Sequence, residues 1–448
     1  MLSSFANCFK IPELKKKILF TLGIVAVYRV GCYIPTPGVN GAMLGEFFDR
    51  INTASGGSIF NIMNMFSGGA LEKLTVFSLG IMPYISASII MQLLTAVIPS
   101  LERLSKEGQA GYHKINQYTR YGTLGLALVQ AFFIALWLEN PQSFQGLQIV
   151  NNPGWAFRFV TVLTLSTGTI VLMWLGEQIQ EKGIGNGISL IITAGIISAA
   201  PAAMRTLVLM LSPQSGGAER LQPLTLLMMT GFLVVVVIAI TLITQAQRKI
   251  PVQYARRVVG RKVYGGQSTY IPLKVDTAGV IAIIFAQSII MFPATLASFI
   301  PSQGFQSLAG MMMRGGFLYY FIYGLLIVFF CYFYTAIVFN PVDIAENMKK
   351  HGGFIPGVRP GAQTADYLDF VMTRITLAGA LFICIIAVMP DAIMAASKVP
   401  YLVASFFGGT GVLIIVGVML DTMKQIESHL VMRHYDGFMK SGHLKGRR

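Results

Sequence analysis

Ten apolar stretches constrain this chain more than any other feature: 18–34, 74–98, 120–138, 156–175, 184–204, 223–244, 277–300, 317–339, 373–389 and 400–420. A membrane-spanning helix needs about 17–25 predominantly apolar residues, and a helix satisfies its own backbone polar groups inside lipid. The expected fold is therefore an all-α polytopic membrane protein with ten transmembrane helices. Charged residues occupy only 12% of the 448 positions, too few to cover a soluble fold of this length. A cytosolic enzyme, a coiled coil and a disordered chain are excluded on the same ground.

The charges that remain are unevenly placed. Lys and Arg number 34 against 19 Asp and Glu. Assigned loop by loop, 26 of the cations fall on the side that holds both termini, seven fall on the other side, and Arg29 lies inside the first stretch. Cytoplasmic loops carry the excess of Lys and Arg, so both termini are expected in the cytoplasm. Lys10, Lys15, Lys16 and Lys17 precede the apolar run from Ile18. No small-residue cleavage site follows, which makes this a retained first helix rather than a signal peptide.

A polar break near 212–222 divides the spans five and five. An odd number of spans per half forces the halves, 1–211 and 212–448, into opposite orientations. Related halves of this kind form an inverted repeat with a central path at their interface.

Familiar catalytic chemistry is missing. The sequence has no GxxxxGK[ST], HExxH or GxSxG pattern, and the Gly183–Gly187 run lacks the spacing of a phosphate loop. Cys8, Cys32, Cys331 and Cys384 and the five histidines are too scattered for a metal site or a disulfide framework. No metal, no cofactor and no enzymatic activity are expected. Glu139, Glu177, Asp276, Asp391 and Asp421 all fall at helix ends, whereas ion-coupled transporters keep an ionisable group near the midplane. Whatever this protein moves must be driven by a partner.

Three features remain. Ile81 and Ile85, and likewise Ile188 and Ile192, are four residues apart, so each pair shares a helix face. Facing pairs would make an apolar collar that dewets and blocks ions; packing or lipid contact is the plainer reading. Ser58, Ile59, Phe60, Asn61, Ile62, Met63, Asn64, Met65 and Phe66 form an apolar segment far too short to span. Glycine pairs bracket it at 56–57 and 68–69, so it reads either as a short swinging helix or as an interfacial one. Two long cytoplasmic loops follow. That at about 245–276 carries Arg256, Arg257, Arg261 and Lys262, and the β-branched residues around Gly265-Gly266 predict a hairpin there. That at about 340–372 carries the Gly353–Gly361 turn with Arg359. They fit a basic docking site for an acidic partner, or attraction to anionic lipid.

At these residues the sequence resembles the SecY family, the channel subunits of the general secretory translocase, along nearly its whole length. The matching stretches include 65–70 (MFSGGA), 79–88 (LGIMPYISAS), 117–122 (QYTRYG), 174–179 (WLGEQI), 183–189 (GIGNGIS), Gln267-Ser268-Thr269, Tyr334-Thr335-Ala336, Phe339-Asn340-Pro341 and the 353–361 loop. The resemblance implies a protein-conducting channel that passes unfolded secretory polypeptides across the membrane, or releases membrane segments sideways into it. By position, the pore ring would be Ile81, Ile85, Ile188, Ile192, Ile284 and Ile414. The 58–66 segment, within about 56–70, would be the plug. Ser86, Gln92, Ser288 and Phe292 would line a lateral gate for signal sequences between the second and seventh helices. Arg256, Arg257 and Arg359 would dock partners. The implied partners are SecE, SecG, the SecA motor, ribosomes and YidC, in the cytoplasmic membrane of a bacterium.

One departure stands out. The family often carries a proline two residues before the pore isoleucine of the seventh helix; Ala282 stands there. Without that kink, Ile283 as well as Ile284 could face the pore. Two rivals from other classes are a small-molecule secondary transporter, which a carboxylate facing a central cavity would favour, and a structural scaffold, which needs no central path.

Overall fold

The computed structural model describes residues 11–54, 59–144, 148–211, 223–254, 257–259, 262–264, 268–299, 317–397, 401–407 and 409–441. Helices dominate. The N-terminal half contains α1 (Pro12–Gly31), α2 (Gly41–Ala54), α3 (Ile59–Phe66), α4 (Met82–Val97), α5 (Pro99–Lys106), α6 (Gln109–Leu138), α7 (Trp155–Lys182), α8 (Gly187–Ser198) and α9 (Ala200–Leu211). The remainder contains α10 (Pro223–Gln245), α11 (Gly279–Phe299), α12 (Phe317–Val338), α13 (Pro341–Lys350), α14 (Ala362–Ser397), α15 (Tyr401–Phe407) and α16 (Thr410–Ser441).

Every expected span falls on a helix. Among the described residues, seven helical stretches are long and apolar enough to cross a membrane, and the bent pair α4–α5 makes an eighth. The other two positions are held by α1, whose first turns are rich in lysine, and α11. The α4–α5 bend is 99° and has a local cause. Pro99 forces Ile98 into extended backbone (φ −94, ψ 115), which ends one helix and starts the next in a new direction.

Three boundaries differ from the sequence reading. The span placed at 74–98 begins as helix only at Met82. Residues 74–80 instead form an irregular loop, whose backbone pairs with 34–36 through Thr36 N–H to Leu74 O (2.9 Å) and Val76 N–H to Ile34 O (3.0 Å). Leu74, Phe77 and Leu79 are buried there without being helical, so an apolar run was read as span length. This loop reaches α7 closely because Gly168 has no side chain: a Cβ there would run into the Val76 carbonyl. The span placed at 400–420 divides into α15 and α16. Finally, the loop at 340–372 is largely helical, since Asn340 caps α13 by accepting from Val342 N–H at 3.1 Å and α14 starts at Ala362.

Helix packing follows the chain. In the N-terminal half α4 lies on α6, α6 on α7 and α7 on α8, with α1 against α7 and α8. In the C-terminal half α11 lies on α12, α12 on α14 and α10 on α16. The halves meet where α4 touches α11 and α8 touches α16. In the two long loops β1 (Gln247–Tyr254), β2 (Arg257–Val259), β3 (Lys262–Tyr264), β4 (Ser268–Lys274) and β5 (Gly353–Phe354) form two small sheets. The order β4-β1-β5 joins both long loops in one antiparallel sheet. β2 and β3 pair antiparallel, with Val259 opposite Lys262. The turn expected at Gly265-Gly266 lies outside the described residues.

Candidate functional site

A cavity of about 410 Å³ opens between the halves on the side of the two long loops. Ile85, Ile188, Ile192 and Ile284 line it together with Ile281 and Phe285. The polar part of the wall comes from Ser88, Gln92, Tyr112, His113, Asn116, Arg120, Glu177, Glu181 and Ser189.

Depth can be read along single helices. α8 starts at a turn on the side of the two long loops, capped by Asn186 Oδ1 accepting from Ser189 N–H at 3.3 Å. Its Ile188, Ser189 and Ile192 line the cavity, whereas Gly195 and Ser198, one to two turns further on, meet the chain around 66–68. α4 runs the opposite way. Gln92 and Ser88 face the cavity with Ile85, and Ile81 sits beyond them. The path therefore reads, from the side of the two long loops, as polar vestibule, isoleucines, then the short helix α3.

The six isoleucines singled out from the sequence belong to one apolar core. Ile81 (2% exposed), Ile85, Ile192, Ile284 and Ile414 are buried in it, and Ile188 packs against it partly exposed. Four of the six line the cavity; Ile81 and Ile414 do not. Ile81 is the N-cap of α4 rather than a residue inside it. The four-residue relation survives, because the Ile81 carbonyl accepts from Ile85 N–H at 3.1 Å.

The short segment is helical from Ile59 to Phe66, and α3 lies against α8 and α11. Met65 and Phe66 are buried in the core that holds the isoleucines, and Met63 packs against it partly exposed. The Asn64 amide donates to Glu72 Oε2 at 3.0 Å, while its Oδ1 accepts from Glu72 N–H. Ser58 lies outside the described residues, as do the side chains of Ile59, Phe60, Asn61 and Ile62.

At the seam between α4 and α11, Gln92 donates to Ser88 Oγ at 3.2 Å. Ser86 is partly buried. Ser288 is buried, and its hydroxyl donates to its own helix at Ile284 O (2.7 Å), which satisfies it without a partner across the seam. The Phe292 side chain lies outside the described residues.

The docking candidates are separated. Arg359 is exposed in the turn after β5, where Gly357 (φ +84) and Gly361 (φ +109) hold left-handed backbone and Thr364 Oγ1 donates to Arg359 O. Arg257 is the first residue of β2; Arg256 lies outside the described residues. Ile250, Val252, Leu273, Met348, Ile355, Leu368 and Met372 bury a small core of their own beneath this sheet. Where the sheet returns to the membrane, Asp276 caps α11 by accepting from Gly279 N–H at 2.6 Å. Burial pushes its carboxyl up to about 6, nearby Asp421 adds to this, and the Gly279 bond opposes it.

Sequence reasoning missed the vestibule wall. Tyr112, His113, Asn116, Thr119 and Arg120 share one face of α6 at helical spacing, a polar stripe that leads into an apolar span. It also placed Glu177 only at a helix end. Glu177 stands on the cavity wall, bound by Arg120 through two hydrogen bonds of 2.9 and 2.8 Å. A carboxylate does face the central cavity, as the transporter reading required. It sits near the cytoplasmic end of α7, and its charge is matched by Arg120.

The model of the SecY family matches residues 75–423. The chain belongs to the SecY family. The protein translocase subunit SecY of Escherichia coli K12 is 48% identical over 446 residues, which cover 97% of this chain and 96% of that one. Among solved structures, "The structure of a protein conducting channel" aligns with a TM-score of 0.61 at 18% identity over 95% of this chain and 96% of that one. "Sec61 in the Canine ribosome-channel complex from the endoplasmic reticulum" aligns with a TM-score of 0.58 at 17% identity and the same coverage. At such identities the likeness establishes the shared fold. Within this SecY-family fold the departure at Ala282 leaves Ile284 lining the cavity, while Ile283 is fully buried and outside the lining.

Proposed function

We propose that the chain is the protein-conducting channel subunit of a secretory translocase, passing unfolded polypeptides across the membrane and releasing apolar segments sideways between α4 and α11. The order of vestibule, isoleucines and short helix along one axis carries this reading. A polar vestibule of about 410 Å³ admits chain. A ring of branched apolar side chains offers no hydrogen bonds to water or ions, so it dewets when idle, yet it deforms around a polypeptide. The ring is Ile81, Ile85, Ile188, Ile192, Ile284 and Ile414; α3 with its flanks is the plug beyond it. Ser86, Gln92, Ser288 and Phe292 belong to the gate that a signal sequence parts. The two halves, 1–211 and 212–448, act as the leaves that separate.

The chain supplies no energy and catalyses no reaction. Arg256, Arg257 and Arg359, carried by the two long basic loops, engage the driving partner. That partner is a SecA-type motor or a ribosome, with SecE, SecG and YidC completing the assembly. The name of the Escherichia coli relative and the ribosome-bound Sec61 structure support this. The location is the cytoplasmic membrane of a bacterium, with both termini inside, as the charge asymmetry supports.

The Arg120–Glu177 pair keeps a secondary transporter as the second reading. One experiment separates the two. A photoreactive residue replaces Ile188, and a secretory precursor is stalled in transit with the motor supplied. Crosslinks from Ile188 to the mature part of the precursor are expected. Their absence, with the precursor demonstrably engaged, would overturn the channel reading.

A further inference from the structure

Among the described residues, the polar groups that hold the end of the short helix come from the N-terminal half. Just after α3 the backbone carbonyls of Ser67 and Gly68 face α1. The Tyr28 hydroxyl donates to Ser67 O at 3.2 Å, and the Arg29 guanidinium donates through Nη1 to Gly68 O at 3.0 Å. From α8 the Ser198 hydroxyl, which donates chiefly to its own helix at Gly195 O (2.6 Å), reaches the same Gly68 carbonyl as a longer second contact of 3.3 Å. The fit is tight. Gly68 has φ +71, and a Cβ on it would lie 2.7 Å from the Tyr28 hydroxyl and 3.1 Å from Gly195 Cα. A Cβ on Gly195 would in turn lie 3.2 Å from Phe66 O. Two glycines thus let the two backbones meet where the three donors converge.

Arg29 lies within the first span, where a cation is costly and marks a functional contact. Its recorded partners are the Gly68 carbonyl and the Tyr33 ring, whose centroid is 5.8 Å away. The guanidinium also stands at the C-terminal, electronegative end of α3. On its other side α3 lies against α11 of the opposite half.

We propose that Tyr28, Arg29 and Ser198 form a latch that ties the plug to the N-terminal half, so that opening takes two steps. Parting α4 from α11 strips the plug of its contacts with α11 and leaves the latch closed. The plug moves only when Arg29 and its neighbours release the Ser67 and Gly68 carbonyls. Arg29 is a positioning residue for the seal. The inference rests on α3 being the plug, and the test keeps the two apart.

Cys8, Cys331 and Cys384 are replaced by alanine and Cys32, whose thiol also donates to Ser67 O at 3.9 Å, by serine, and Met65→Cys, buried in the parent (4% exposed), reports plug displacement. The assembled translocase in proteoliposomes is labelled from the outer face with a membrane-impermeant maleimide, and ion leak is recorded in parallel. In Arg29→Met the labelling rate should rise about tenfold and the leak should increase. Ser198→Ala, a small change that spares folding, should raise the labelling rate about twofold. Arg29→Lys should keep it near the parent value. Labelling unchanged in both Arg29→Met and Ser198→Ala would overturn the latch. Deletion of 59–66 tests the plug itself: a leak there with slow labelling in Arg29→Met sinks the latch alone. No leak on deletion sinks the plug reading and the latch with it.

Discussion

Two connections, each following the first helix of its half, show how one position can serve opposite tasks. Between α1 and α4 the chain folds inward: α3 lies against α8 and α11, and its exit is bound by α1. Between α10 and α11 the chain folds outward into β1–β4, which form a β2–β3 pair and a β4-β1 pair that β5 joins from another loop. The first is apolar and glycine-bracketed, so burial drives it into the core. The second carries Arg248, Lys249, Arg256, Arg257, Arg261 and Lys262, which keeps it in water, where charge can meet a partner. The difference is one of solvent: under the proposed function, the same connection would serve as a seal where it can bury and as a handle where it cannot.

That contrast can be broken at the seal first. Ile188→Asn puts an amide into the apolar ring and should let water and ions through the idle channel. We expect single-channel leak in planar bilayers to rise by about an order of magnitude. Unchanged conductance would leave the ring as mere packing. At the handle, Arg359→Glu reverses an exposed charge. Motor-driven export should fall about tenfold, equivalent to about 1.4 kcal/mol of docking energy, while the thermal unfolding midpoint stays put. Normal export would remove Arg359 from the docking surface.

Two smaller effects sharpen the boundary between seal and handle. Glu177→Gln leaves Arg120 unmatched on the vestibule wall. Because the pair is partly exposed, with the Arg120 side chain at 47% and Glu177 at 20%, the expected loss of stability is about 1 kcal/mol or less. Export should continue; abolished export with a folded protein would favour the transporter reading.

The smallest effect belongs to Asp276, whose carboxyl is pushed up to about 6. A carboxyl raised on folding holds its proton in the folded state after the unfolded chain has lost it. Stability therefore falls as pH rises from about 4 through about 6. Asp276→Asn keeps the acceptor for Gly279 N–H and removes the charge. It should raise the unfolding midpoint at pH 7.5 and do little at pH 4, which thermal melts at the two pH values will show. An equal gain at both would assign the effect to something other than ionisation.

Much of the fold was legible beforehand. The spans, the short helix and the basic loops are written in local hydropathy and glycine spacing, which act over a few residues. The candidate site was legible only in part. Ile188 and Ile192 were visible as a pair, but not that they share a cavity with Ile85 and Ile284. The loop at 74–80 was misread because an apolar run looks the same whether it spans lipid or folds under a neighbour.

What the sequence alone determined is the membrane class and the residue types along each span, because hydrophobic run length acts locally against a layered solvent. Only the tertiary structure decided that Arg29 meets Gly68, that Arg120 meets Glu177, and that β5 joins β1. These partners are 39, 57 and about 100 residues apart. Their meeting depends on which helix faces dock, and no local pattern in a single chain records that choice.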